Sequence, residues 1–109
     1  MSVLEEAEEI IHGDRNRYYG HPLDTHGCTA AMWSAYLSRC YRTDIILTPE
    51  DVCWMNVLQK VSREANKANR DNMIDAAEYV GNVEMIQQER ERRDGSIPAI
   101  VPEPPLKSG

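Results

Sequence analysis

The amino-acid sequence predicts an all-α fold, a bundle of about four helices over residues 1–95, followed by an extended or disordered proline-rich tail at 96–109. Three observations carry that expectation. Apolar residues recur every three or four positions in several separate stretches, the period of an amphipathic helix. Those stretches are bounded by residues that cap or break helices. Only residues 44–47 form a short apolar run of the kind a strand uses, and no internal repeat is present.

Taken in order, Ser2 followed by Glu5 matches a capping box, in which the serine hydroxyl and the glutamate carboxylate satisfy each other's backbone N–H groups. Val3, Leu4, Ala7, Ile10 and Ile11 then form a narrow apolar stripe that Gly13 stops, so a first helix of about 10 residues is expected. Residues 13–27, GDRNRYYGHPLDTHG, hold three glycines and no clean period, which reads as a loop. Pro22 disfavours helix at His21, and Asp24 or Thr25 is placed to cap a second helix from about 26 to 41. Ala30, Trp33, Ser34, Leu37, Cys40 and Tyr41 mark its inner face. The third helix has the clearest start: Thr48 as N-cap, Pro49 at the first helical position, then Glu50 and Asp51 complementing the helix dipole. It frays between Asn66 and Asn69, and Asn69 or Asp71 can cap a fourth helix ending at Gly95. Periodicity leaves open whether the third and fourth are one continuous helix.

Composition bounds the function. A chain of 109 residues makes one domain with a modest core, so a homo-oligomer, in the first instance a dimer, is expected, with Trp33 or Trp54 as core or interface anchors. A formal charge of −6 argues against generic nucleic-acid binding, which needs a basic field. The three cysteines, Cys28, Cys40 and Cys53, lack C-x-x-C spacing and read as reduced thiols. No apolar run approaches the ~18 residues of a membrane span, and the acidic N-terminus is unlike a signal peptide. A cytoplasmic protein with no membrane partner is expected.

Residues 60–82 hold the main chemical signal. At helical spacing Asn56, Lys60, Arg63 and Lys67 share one stripe, while Asp71, Asp75, Glu78 and Asn82 share another. The apolar residues lie on other faces of the same segments: Trp54, Val57, Leu58, Val61 and Ala65 on the first, Met73, Ala76, Ala77, Val80 and Val83 on the second. An antiparallel helix pair with a charged seam accounts for both stripes. Two solvated polar faces are the plainer alternative, since exposed ion pairs stabilise little. Asp71, Asp75 and Glu78 repel one another unless a cation, metal or partner offsets them. Lys60 and Arg63 can neutralise phosphate directly, which suits binding and does not by itself activate water. In the loop, Arg15, Arg17, Tyr18 and Tyr19 combine guanidinium forks for phosphate with aromatic faces for a base, unless the tyrosines simply pin the loop to the bundle. His21, His26 and Asp24 fit no standard metal spacing, and the histidines read as loop hydrogen-bonders.

The order Lys60, Glu64, then Asn72-x-x-Asp75 inside DNMIDAAEYVGN resembles the two central helices of the all-α nucleotide pyrophosphohydrolases, the MazG-like superfamily. In that superfamily E-E-x-x-E on one helix and E-x-x-D on the next hold magnesium against a nucleoside triphosphate. The span from Arg17-Tyr18-Tyr19-Gly20 to Tyr79 is also similar to a family of small phage and prophage helical proteins. Only Glu64 stands for the first acidic cluster, and Asn72 replaces an acid in the second. The resemblance thus implies a phage-type protein that binds a nucleotide or nucleotide-derived phosphate ligand without hydrolysis and without a cofactor. Arg17, Tyr18, Tyr19, Lys60, Arg63, Asp75 and Glu78 are then the ligand-binding residues. The family context extends this to sequestering an immune nucleotide signal in the cytoplasm of the host. One alternative is a divergent magnesium-dependent pyrophosphohydrolase with Glu64, Asp71, Asp75 and Glu78 at the metal. The other is a helical interaction module whose charged seam is structural.

Overall fold

The computed structural model describes residues 1–13 and 20–95, and all its regular structure is helical. The elements are α1 (Val3–Ile11), α2 (Pro22–Tyr41), α3 (Pro49–Asn66) and α4 (Arg70–Gly95). The expected all-α bundle is therefore present, and the third and fourth helices are separate. Arg15, Arg17, Tyr18 and Tyr19, expected in a loop, and residues 96–109, expected as an extended or disordered tail, lie outside the described residues.

Local chemistry explains each boundary. Ser2 and Glu5 form the reciprocal capping box, both bonds 3.1 Å long. Thr48 and Asp51 form a second one: the Thr48 N–H donates to Asp51 Oδ2 at 2.8 Å and the Asp51 N–H to Thr48 Oγ1 at 3.1 Å. Helix α2 starts four residues earlier than expected. Pro22 occupies its first turn and His21 is the N-cap, its Nδ1 accepting from the Leu23 N–H at 3.0 Å. The physical reason is that a proline disfavours helix before it and not after it, because the missing N–H falls where no intrahelical bond is needed. Asp24 and Thr25 are consequently inside the helix rather than at its cap.

After α2, Arg42 adopts a left-handed conformation (φ 52°) that turns the chain out of the helix. Two serine hydroxyls on α2 hold the connection that follows. Ser38 Oγ accepts from the Ile45 N–H at 2.9 Å, and Ser34 Oγ accepts from the Leu47 N–H at 2.8 Å while donating to the Ala30 carbonyl. These bonds satisfy the Ile45 and Leu47 N–H groups of the apolar run at 44–47, which forms no strand.

Helix α4 is the centre of the bundle, packing most extensively on α3 and α1 and more lightly on α2. Cys53, Val83 and Ile86 form the buried cluster, with Leu23 and Tyr79 packed against it. Burial pushes the Cys53 thiol up to about 12, so it is an inert apolar group at neutral pH. Cys28 and Cys40 are exposed free thiols. Ile11 of α1 lies so close to Gly81 that a β-carbon at 81 would run into its Cδ1 atom, which explains a glycine in the middle of a long helix. Polar clamps complete the packing. Arg90 makes a two-pronged bond to Glu50 at 2.5 and 2.7 Å, and Arg93 another to Asp24 at 2.8 and 2.9 Å, tying the C-terminal half of α4 to the first turns of α3 and α2. Among the described residues no helix is long and apolar enough to cross a membrane.

Candidate functional site

The three-residue break between α3 and α4 makes an antiparallel hairpin, and this hairpin sets the charged seam. Lys67 leaves the helix in an extended conformation (φ −155°, ψ 123°), after which Asn69 caps α4 by accepting from the Asp71 N–H at 3.0 Å. Glu64 binds the opening of α4 from the other side, accepting from the Asn69 N–H and from Asn72 Nδ2, both at 3.1 Å. Those donors, the Asn69 N–H first, hold its carboxyl below the usual range. Glu64, a candidate metal ligand, thus bonds Asn72, which stands where the resembled motif has an acid.

One turn away, Lys60 Nζ pairs with Asp75 at 3.0 Å. The ammonium side chain is only 11% exposed and the carboxylate 37%, so the two stripes do meet in a seam, internal at Lys60 and open to solvent at Arg63, Lys67 and Asp71. The lysine finds its partner across the seam on α4, rather than along its own helix at Glu64. Glu78 and Asn82 continue the seam and are buried. Asn82 Nδ2 lies 3.5 Å from His26 Nε2, and the His26 ring meets Tyr79 edge-on with centroids 6.1 Å apart. Burial pushes the His26 imidazole down, which favours the neutral form in this contact. Among the described residues no buried side-chain nitrogen or oxygen lacks a hydrogen-bond partner.

Arg63 differs from Lys60 and Asp75, the ion pair of the seam. It is exposed, and among the described residues it enters no ion pair. Asp75 pairs with Lys60. Asp71 is exposed at the mouth of the hairpin. Among the described residues no three His, Cys, Asp or Glu side chains come close enough to hold a metal ion. Of the proposed ligand-binding residues, Lys60 and Asp75 are therefore brought together, Arg63 lies one turn away on the same stripe, and Glu78 sits deeper in the seam. Arg17, Tyr18 and Tyr19 fall outside the described residues.

The other flank of the hairpin is apolar. Trp54, Leu58 and Val61 on α3 and Met73 and Val80 on α4 are all exposed. Trp54, a candidate core anchor, is 48% exposed, which corrects the core half of that expectation, whereas Trp33 is half-buried. A groove of about 190 Å³ opens between the helices here, lined by Lys60, Val61, Glu64, Asn72, Met73 and Ala76. Sequence reasoning missed the His26, Tyr79 and Asn82 contact. Its signal was present in part: Tyr79 and Asn82 share a face of α4 at i, i+3, yet the position of His26 depended on a helix start that was placed too late.

The chain is similar to the Gene 55 protein of Mycobacterium phage L5, 37% identical over 94 residues covering 85% of this chain and 57% of the relative. It is equally similar to the Gene 55 protein of Mycobacterium phage D29, 37% identical over 89 residues covering 81% of this chain and 55% of the relative. The chain thus spans a little over half the length of the curated relatives it matches, and both are phage proteins, in keeping with the phage-type character expected from the sequence. No solved structure matches it. Residues 2–87, which hold α1 to α3, the hairpin and the seam, match the model of a domain of unknown function, and the chain belongs to that family, DUF6378.

Proposed function

We propose that this protein binds a phosphate-bearing nucleotide on the cationic flank of α3 and does not hydrolyse it. The observation that supports the reading best is Arg63: an exposed guanidinium with no counter-ion among the described residues, one turn from Lys60. Lys60 is paired with Asp75 and only 11% exposed, so Arg63 supplies the free planar fork suited to phosphate oxygens, and Lys60 beside it meets a ligand only by sharing its charge with Asp75. Arg17, Tyr18 and Tyr19 belong to this reading through the sequence, as the phosphate contact and the base cover. The Gene 55 relatives supply a phage context, in which a protein that holds a nucleotide without turning it over acts by sequestering it, a host immune signal being one candidate.

The magnesium-dependent, MazG-like alternative would require Glu64, Asp71, Asp75 and Glu78 to converge, whereas Glu64 caps α4 and Asp75 holds Lys60. A second reading, a helical interaction module with a structural seam, is favoured by those same two bonds, because they use the charges within the chain.

Titration calorimetry with nucleoside triphosphates and cyclic dinucleotides separates the readings. Arg63→Ala is expected to weaken the bound nucleotide by roughly 10- to 150-fold, the ~1.5 to 3 kcal/mol of one charge-assisted contact, with the fold intact. Arg63→Lys should weaken it as well, since an ammonium cannot make the two parallel bonds. Wild-type affinity in a stable Arg63→Ala protein would end the phosphate reading.

A further inference from the structure

Helical geometry puts the apolar stripe and the cationic stripe on opposite flanks of α3. At 100° per residue Trp54 lies half a turn round the helix from Arg63, and Leu58 and Val61 lie close to Trp54. The inner face between the flanks carries Cys53, Asn56 and Lys60 toward the rest of the chain, so the largest apolar side chains of α3 point away from the core. On α4 the core takes Ile74, Val83 and Ile86, while Met73 and Val80 on another face are left exposed. The contacts Glu64 to Asn72 and Lys60 to Asp75 set the hairpin register, which brings Val61 level with Met73 and Ala76, and Trp54 level with Val80. The result is one continuous apolar strip along both helices.

We propose that a second copy of this chain covers this strip, through a two-fold interface in which the two α3 helices cross at Leu58. Area is the first argument. Trp54, Leu58, Val61, Met73 and Val80 are between 45% and 66% exposed and together present roughly 550 Å², most of it apolar, at the lower edge of the ~600 to 1,000 Å² per partner that a stable dimer buries. Shape is the second. A two-fold interface needs a patch that is complementary to itself, with a projection and a recess at equal distances from the axis. Trp54 is the projection, and the groove beside Val61, Met73 and Ala76 is the recess. They lie about 10 Å apart along α3, on either side of Leu58, given the rise of 1.5 Å per residue. An antiparallel crossing at Leu58 therefore sets Trp54 of each copy at the level of the groove of the other. The groove volume of about 190 Å³ suits one large apolar side chain.

Sedimentation of the full chain at micromolar concentration tests this. The expected particle is twice the 12.4 kDa chain mass. Leu58→Glu places two carboxylates against each other at the axis and is expected to weaken the dimer by at least about 30-fold, giving a helical monomer by circular dichroism. Should Leu58→Glu fail to fold, Trp54→Ala and Val61→Ala supply the same test in milder form, each expected to shift the equilibrium toward monomer. Tyr36→Ser, at an exposed position on α2 away from the strip, should leave the dimer intact. A wild-type monomer at 100 µM, as an order of magnitude well above a specific dimer's dissociation constant, would overturn the proposal and point to a different occupant. A dimer that survives the strip variants, or one lost in Tyr36→Ser, would overturn the choice of face. Lys60 lines the groove, but Arg63 is on the opposite flank and none of these variants replaces either cation, so nucleotide affinity lost with Arg63→Ala and dimerisation lost with the strip variants let the two readings fail separately.

Discussion

Ile86→Ala is expected to destabilise the protein by about 3 kcal/mol, within the ~2 to 5 kcal/mol range for truncating a fully buried isoleucine. Ile86 is 0% exposed and packs with Cys53 and Val83 where α4 meets α3, with Leu23 of α2 against the cluster. The buried core is small: Ala7, Ala30, Val52, Cys53, Ile74, Val83 and Ile86 are the buried hydrophobic residues among those described. With so few large side chains, none can take up the space left by another, so the cavity term should be close to its full size. For a domain of this length the melting temperature should fall by roughly 12 to 24 °C, at about 4 to 8 °C per kcal/mol. Thermal denaturation followed at 222 nm checks it. A fall under about 4 °C would mean that this cluster is not the centre of the fold.

The second large effect is expected at the seam. Asp75→Ala should cost about 2 kcal/mol, because it leaves the Lys60 ammonium, 11% exposed, without its counter-ion. The cost stays below the ~3 to 5 kcal/mol of a fully buried pair, since Asp75 is itself partly exposed to solvent that screens the interaction. Lys60→Met keeps most of the apolar stem and should cost less, about 1 kcal/mol. In the double variant no charge is left stranded, so its loss should fall short of the sum by about 1 kcal/mol or more. Chemical denaturation of the four proteins measures that difference, and strict additivity would mean that the pair makes no net contribution.

These two effects divide along the line between what the sequence shows and what it hides. Helix starts set by contiguous residues were legible: Ser2 with Glu5, and Thr48 with Pro49 and Asp51, act within one turn and need no tertiary context. The start at Pro22 was not, because histidine is an uncommon N-cap and the flanking glycines resemble a loop. The seam was legible as a pair of stripes of opposite sign, and Lys60 with Asp75 realises it. The direction in which the apolar stripes point was not legible. Periodicity shows that Trp54, Leu58 and Val61 share a face and says nothing about whether that face meets the core or something outside it. The role of Glu64 was hidden for another reason: its bonds to Asn69 and Asn72 exist only because the chain reverses at 67–69. On the sequence, an acid beside a nucleotide-like motif and an acid that caps the next helix look the same.

The functional account rests on a nucleotide held by cations without metal, and a thermal-shift panel of nucleoside phosphates and cyclic dinucleotides, each with and without magnesium, tests it most directly. A ligand that binds only the folded chain adds about 2.7 kcal/mol at 100 times its dissociation constant, so at least one member should raise the melting temperature by roughly 10 °C or more. The account predicts that the shift is the same with magnesium and with a chelator, that it disappears in Arg63→Ala, and that no pyrophosphate is released. No shift from any member at millimolar concentration, or a shift that requires magnesium and is accompanied by turnover, would contradict it.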